Sequence, residues 1–372
     1  MRILFTCGGT GGHIYPAVSV AEEIKKTAPD TEFLFIGADG MMEMDIVPKC
    51  GYEIEAVPVT NLSRGKKLKD IVHNLKSVFN VVASLFRSLK LIKKFRPDAV
   101  IGTGGYVCFP VIFAAWLLGI PAFVHESNSE PGLTTRMLSR FVKKVFTGYR
   151  ESLKYYKEGK GEYTGTPVRM QFNETISPAE AFHHLGAPPD FPLIVSVWGS
   201  LGSAYMNEVI SKFVHIMPEK QFNMLHVCGK RYLDQYNYIN ELDLPVLQKQ
   251  YFVLKDFVYD LPLYLKSAGL VICRAGASTL AEIAYLGKPA IIVPSPNVVN
   301  NHQEKNARLF EANGAAVVLR EGSFTPETLL ETISSILSSP EKISGMSNAM
   351  HSFCVPDSAR IIADNVLKYV SL

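Results

Sequence analysis

The chain has 372 residues, 47% of them hydrophobic and 20% charged, with a formal net charge of +3. A chain of this length and composition buries a sizeable core, splits into two or three domains and is not disordered. No apolar run reaches the roughly 18 residues of a spanning helix. The six cysteines are scattered without a C-x-x-C pair, which excludes a disulfide or zinc framework and suits a reducing cytoplasm.

The elements repeat one grammar of strand, glycine turn and helix. Ile3–Cys7 is a short apolar run followed by Gly8-Gly9-Thr10-Gly11-Gly12-His13, and a helical pattern takes over near Pro16. Phe33–Ile36 reads as a second strand. Ala99–Ile101 is a third and leads into Gly102-Thr103-Gly104-Gly105-Tyr106; Pro121–His125 and Val145–Thr147 follow. After residue 190 the grammar restarts with Leu193–Val197 and Trp198-Gly199-Ser200-Leu201-Gly202-Ser203. Asn223–Cys228, Leu270–Cys273, Ala290–Val293 and Ala315–Leu319 are further strands, with helices such as Thr279–Leu286 and Gln303–Ala312 between them. Alternating strands and helices predict parallel sheets covered on both faces. The fold class is therefore α/β, with two Rossmann-like doubly wound domains in tandem, 1–166 and 167–352. Ligands in this architecture bind beyond the carboxyl ends of the strands, so a cleft between two such domains is the expected site.

Each glycine loop follows a strand and precedes a helix, which suits an anion bound at a helix N-terminus. The dinucleotide fingerprint G-x-G-x-x-G fails at its third glycine, which would be Ile14 or Val107, and the Walker pattern is absent because Gly287-Lys288 runs into Pro289. Thr10-Gly11-Gly12-His13 and Thr103-Gly104-Gly105-Tyr106 form an internal echo: either two phosphate-type loops or two tight turns. His13 is either a general base or an inert first-turn residue. In Cys273-Arg274-Ala275-Gly276-Ala277-Ser278-Thr279-Leu280-Ala281-Glu282, the turn could cradle a diphosphate and Glu282 could take both hydroxyls of a ribose. Equally, Thr279-x-x-Glu282 fits a capping box that needs no ligand. The polar clusters His125-Glu126-Ser127-Asn128 and Asn300–Ala307 could hold a sugar or could be plain helix entries.

Charge is uneven. Residues 1–166 hold 22 basic against 16 acidic residues, and the rest of the chain 16 against 19. Residues 62–96 carry ten basic residues and one acid, and 136–160 eight and two, which points to an anionic partner on the first half. Leu133, Met137, Phe141 and Val145 share one face of a predicted helix over 132–146, with Arg136, Arg140 and Lys143 on another, the pattern of a helix lying on an anionic membrane. Ile71, Leu75, Val78, Val82, Leu85, Leu89 and Ile92 form a 3–4 stripe that predicts core packing.

Taken together, GGTGGH (8–13), GTGGYV (102–107), HESN (125–128), GTPVR (165–169), CRAGASTLAEI (273–283) and NNHQEKNA (300–307) resemble the family 28 N-acetylglucosaminyltransferases that complete the lipid-linked disaccharide of peptidoglycan. The resemblance covers nearly the whole chain and implies the GT-B fold, with a C-terminal helix (357–372) returning to the first domain. It implies inverting transfer of N-acetylglucosamine from UDP-N-acetylglucosamine to undecaprenyl-diphospho-N-acetylmuramoyl-pentapeptide by a peripheral protein on the cytoplasmic face of the bacterial membrane. No nucleic acid partner is expected. By resemblance His13 would be the catalytic base. Thr10, Gly11, Gly12, Asn128, Arg169, Ser200, Val258, Ala277, Ser278, Thr279, Leu280, Ala281, Glu282 and Gln303 would hold the nucleotide sugar, and Gly104, Gly105, Tyr106 and Glu126 would lie on the acceptor side. No D-x-D follows a strand, so no protein-held metal or tightly bound cofactor is expected, with Mg²⁺ at most assisting in solution. Trp198 departs from the usual G-G-S-x-G-A of the third loop, where its bulk would narrow the approach to a phosphate. The alternatives are transfer to another lipid such as diacylglycerol, a UDP-N-acetylglucosamine 2-epimerase, and a non-catalytic nucleotide-sugar-binding subunit.

Overall fold

A computed structural model describes residues 1–59, 68–174, 177–199 and 202–370, with backbone alone at 68–78 and 173. The chain divides into two compact units, Met1–Arg169 together with Val355–Leu372, and Met170–Cys354.

The first unit holds a seven-stranded sheet of β1 (Arg2–Cys7), β2 (Glu32–Ala38), β3 (Ile54–Val57), β4 (Ala99–Gly104), β5 (Ala122–Glu126), β6 (Lys144–Thr147) and β7 (Gly161–Tyr163), in the order β3-β2-β1-β4-β5-β6-β7. Every pairing is parallel. Its central strands are apolar runs because helices cover both faces. Ile3, Phe5, Ile101 and Phe123 pack on the helix Gly11–Thr27, while Leu4, Val100 and Val124 pack on the opposite face against the helix Cys108–Leu117. The helix Ser358–Val370 closes the first of these faces through Ile362, Ala363 and Val366, with the Tyr369 ring 5.3 Å from Phe123.

The second unit repeats the plan with six strands: β8 (Leu193–Val197), β9 (Asn223–Val227), β10 (Phe252–Lys255), β11 (Ala268–Cys273), β12 (Ala290–Ile292) and β13 (Ala316–Val318), in the order β10-β9-β8-β11-β12-β13, all parallel. In each sheet the chain winds outward one way from the first strand and then returns to pair on its other side. The switch points therefore lie between β1 and β4 and between β8 and β11, where open α/β sheets leave a crevice beyond the strand ends.

Two sequence expectations change. The helix predicted over 132–146 is only Leu133–Leu138, because the chain must extend into β6, where Val145 and Phe146 are fully buried. Phe141 leaves its apolar stripe to pack on Trp116 and Phe113. In the helix Leu68–Phe95, Leu85, Leu89 and Ile92 face the core as expected, but Val82 is 46% exposed. The side chains of Ile71, Leu75 and Val78 lie outside the described residues.

Because Ile362 is sealed between the C-terminal helix and the first sheet, Ile362→Ala leaves a cavity there. Urea unfolding is expected to show a loss of about 2–5 kcal/mol, and a loss within error of zero would mean that this helix does not close the first unit.

Candidate active site

The glycine-rich segments sit at the two switch points: 8–13 after β1 and 102–106 at the end of β4 and just beyond it in the first unit, and 198–199, 202–203 and 274–279 beyond β8 and β11 in the second. The internal echo is thereby a pair of spatial neighbours. An irregularity between Thr6 and Cys7 brings Gly8 N–H onto Gly104 O at 3.1 Å. Gly105 has φ +92, and a Cβ there would lie 2.5 Å from Gly8 O. Gly104 has φ +125, and a Cβ there would lie 2.4 Å from His13 Cδ2. Glycine is needed at both positions for conformation and for space.

His13 lies in the first turn of Gly11–Thr27, a helix that begins five residues before Pro16. Its backbone N–H bonds Thr10 O, and Thr103 Oγ1 donates to its carbonyl at 2.7 Å. Its Nδ1 is 2.8 Å from Gly8 O, a pure acceptor, so Nδ1 carries the hydrogen and Nε2 of the neutral ring carries the lone pair. Gly104 and Gly105 thus form the seat of His13, whereas Tyr106, 44% exposed, is the member of that loop that reaches solvent. Tyr15 sits beside Gly11, and the Arg169 guanidinium lies 5.1 Å from its ring centroid.

Glu126 is 5% exposed and points into its own loop: Oε1 accepts from the backbone and side-chain N–H groups of Asn128, and Oε2 accepts from Gly132 N–H. A carboxylate turned inward in this way shapes the loop and orients Asn128. His125 is buried, donating from Nε2 to Gly165 O and accepting at Nδ1 from the Ser127 hydroxyl.

In the second unit, the helix Ala277–Leu286 has Gly276 as its N-cap and no side-chain cap bond. Thr279 and Glu282 are therefore interior positions, and the capping-box reading falls. The backbone N–H groups of Ala277, Ser278 and Thr279 belong to the first turn, where partial positive charge gathers. Leu280 and Ala281 complete that turn, with Leu280 N–H bonded to Gly276 O. Glu282 lies one turn on, 7% exposed. Asn306, fully buried, donates to Ala275 O and ties the helix His302–Ala312 to the same turn. The Gln303 carbonyl oxygen accepts from Ser295 N–H at 2.8 Å, leaving its amide NH₂ as the group to offer a ligand. Val258 lies half-buried between β10 and the helix Leu261–Ser267. Ser200 lies outside the described residues.

The third glycine loop rests on polar residues that the motif reading did not single out. Trp198 is 4% exposed: its indole turns into the domain, and its Nε1–H donates to Ser196 Oγ. The Ser196 hydroxyl donates to His226 Nδ1 at 2.8 Å, His226 Nε2–H donates to Asn207 Oδ1, and Asn207 Nδ2 donates to Cys228 O. Every donor in this chain has one acceptor, so the direction of each hydrogen is determined. Gly202 packs against Cys228 O, which a Cβ would approach to 2.1 Å. Arg274 donates to Ser203 Oγ and Val293 O and pairs with Glu321. The bulk of the indole is thus packed into the domain. A lone Ser or His within the apolar runs Leu193–Val197 and Asn223–Val227 was the sequence signal for this chain. Arg274 stood in a quoted motif without a role, and nothing local flagged Asn207 or Glu43, a buried carboxylate that accepts from Gly9 N–H at 3.0 Å.

Burial lowers His125 from 6.5 to about 4 and His226 to about 3. Both stay neutral in the fold while the unfolded chain protonates below about pH 6.5, so stability is fully present above that pH and is lost as pH falls towards 4. Urea unfolding is expected to show about 2 kcal/mol lost from each histidine between pH 7 and pH 5. A stability flat over that window would contradict the burial of both rings.

The N-terminal domain of glycosyltransferase family 28 matches residues 3–147, and its C-terminal domain matches residues 193–360. Two relatives named UDP-N-acetylglucosamine–N-acetylmuramyl-(pentapeptide) pyrophosphoryl-undecaprenol N-acetylglucosamine transferase are each 38% identical. The one from Alkaliphilus oremlandii aligns over 96% of both chains, and the one from Bacillus pumilus over 100% of both. The crystal structure of Acinetobacter baumannii MurG is 25% identical, covers 99% of both chains and superposes with a TM-score of 0.75. A UDP-GlcNAc 2-epimerase from Neisseria meningitidis, at 14% identity and a TM-score of 0.68, shares the fold alone. With its two doubly wound GT-B domains matched in order, this chain belongs to glycosyltransferase family 28.

Proposed function

We propose that the protein transfers N-acetylglucosamine, with inversion, from UDP-N-acetylglucosamine to undecaprenyl-diphospho-N-acetylmuramoyl-pentapeptide. The observation that carries the chemistry is the His13 ring, whose Nδ1–H is held on Gly8 O so that Nε2 offers a lone pair. In this reading Nε2 takes the proton of the acceptor hydroxyl as its oxygen attacks the anomeric carbon. A positioned base of this kind contributes about 10²–10⁴-fold. The bond to UDP breaks on the opposite side of the sugar, and the departing diphosphate needs fixed positive charge. The first turn of Ala277–Leu286 supplies N–H groups for it; by the family resemblance Ser200 and Arg169 would contact the phosphates as well, with Mg²⁺ assisting at most from solution. Glu282 takes the ribose diol, backbone near Val258 the uracil, and Gln303 and Asn128 the sugar. Thr10, Gly11 and Gly12 line the approach to the reacting centre.

The lipid acceptor calls for a protein that works at the membrane surface, here the cytoplasmic face. No helix among the described residues is long and apolar enough to cross a membrane. The first unit instead exposes Phe79 (72%), Phe86 (66%) and Leu133 (66%), together with Val82, Trp116 and Met137. Arg87, Lys90, Lys93, Lys94, Arg140 and Lys143 are exposed in the same segments. Apolar side chains to insert and cations to meet anionic headgroups, on the order of 1 kcal/mol each, suit reversible docking. Arg64, Lys66 and Lys67 of the basic stretch lie outside the described residues.

Incubation with UDP-N-acetylglucosamine should release UDP only when the lipid-linked muramoyl-pentapeptide is added; conversion of the nucleotide sugar without acceptor would replace this reading with an epimerase. His13→Ala should lower kcat by about 10²-fold or more while leaving the KM for UDP-N-acetylglucosamine within about twofold, and full turnover would remove His13 from the mechanism. In vesicle flotation the protein should rise with anionic lipid and far less with neutral lipid. Equal binding to both would leave the cations without a role.

A further inference from the structure

The first unit buries a carboxylate that this reaction leaves unused. Glu43, fully buried, opens the helix Glu43–Lys49; its Oε1 accepts from Ala38 N–H at 2.9 Å and its Oε2 from Gly9 N–H at 3.0 Å. Two glycines make room for it: a Cβ on Gly37 would lie 2.5 Å from Glu43 Cγ, and one on Gly8 would lie 2.5 Å from Oε1. The Gly9 N–H belongs to the same peptide group as the Gly8 carbonyl, and that carbonyl accepts His13 Nδ1–H at 2.8 Å. Carboxylate, peptide and imidazole thus form one continuous line of hydrogen bonds.

A peptide group is conjugated from N–H to C=O. An anion on the N–H end draws electron density onto the carbonyl oxygen and makes it a stronger acceptor. A stronger acceptor at Nδ1 holds the ring in the tautomer with a free Nε2 and favours its taking a proton. We infer that Glu43 is a positioning residue for His13, acting through the Gly8–Gly9 peptide. The inference rests on His13 being the base. The titratable groups facing this line from neighbouring elements are the thiols of Cys7 and Cys108 beside Glu43 and the imidazole of His125 beside His13. Burial keeps the thiols protonated and His125 neutral, so none of them adds charge to it.

The test is Glu43→Gln made in the unaltered protein and in His13→Ala. In the unaltered background kcat should fall about tenfold or more with the KM for UDP-N-acetylglucosamine within about twofold, and the acid limb of the pH–rate profile should move to lower pH. Glu43→Asp, which keeps the charge, should restore that limb. In the His13→Ala background Glu43→Gln should change kcat by less than about twofold. An equal loss in both backgrounds, or an unmoved acid limb, would make Glu43 a structural residue only. Full activity of His13→Ala alone would instead sink the base assignment, a separate outcome. Should Glu43→Gln fail to fold, NMR on the unaltered protein decides: the Gly9 amide proton should shift as His13 titrates, and a Gly9 amide blind to that titration overturns the proposal.

Discussion

The hydrogen bond from His13 Nδ1 to the Gly8 carbonyl is the contact on which the rest of the chemistry depends. An imidazole serves as a base only through a nitrogen that carries a lone pair, and a carbonyl on the other nitrogen decides which one that is. The contact exists because β4 lies beside β1, so the loops leaving both strands meet. It also exists because Gly104 and Gly105 have no side chains to hold those loops apart. Sheet order, glycine placement and ring tautomer are three levels of one arrangement.

The second unit solves a similar problem by different means. Its turn after β11 presents a helix N-terminus with no side-chain cap bond, where partial positive charge gathers. After β8, Trp198 is held by the buried line Ser196, His226, Asn207 and the Cys228 carbonyl, and Ser203 by Arg274. The tryptophan that departs from the family pattern is therefore part of the foundation of the loop, and its bulk is spent inside the domain.

The centre of each sheet was readable in the sequence, and three of the four edge strands were not. β1, β4, β8 and β11 are buried on both faces and read as apolar runs. β3, β7 and β10 lie at edges, pair on one side only, and are short and mixed in polarity, as Gly161-Glu162-Tyr163 illustrates. The false helix over 132–146 arose because an i, i+4 apolar spacing happened to run on from a short helix into β6. The glycine loops and His13 were visible because backbone that must turn sharply restricts residue type. Glu43, by contrast, meets Gly9 across 34 positions of chain, and Asn207 meets His226 across 19. Contacts of that kind leave no local pattern.

The most direct measurement is nitrogen-15 NMR of the histidine rings in the neutral state. The account predicts a proton on Nδ1 of His13, with coupling across to the Gly8 carbonyl, and an unprotonated Nε2. A ring that carries its proton on Nε2 would contradict it.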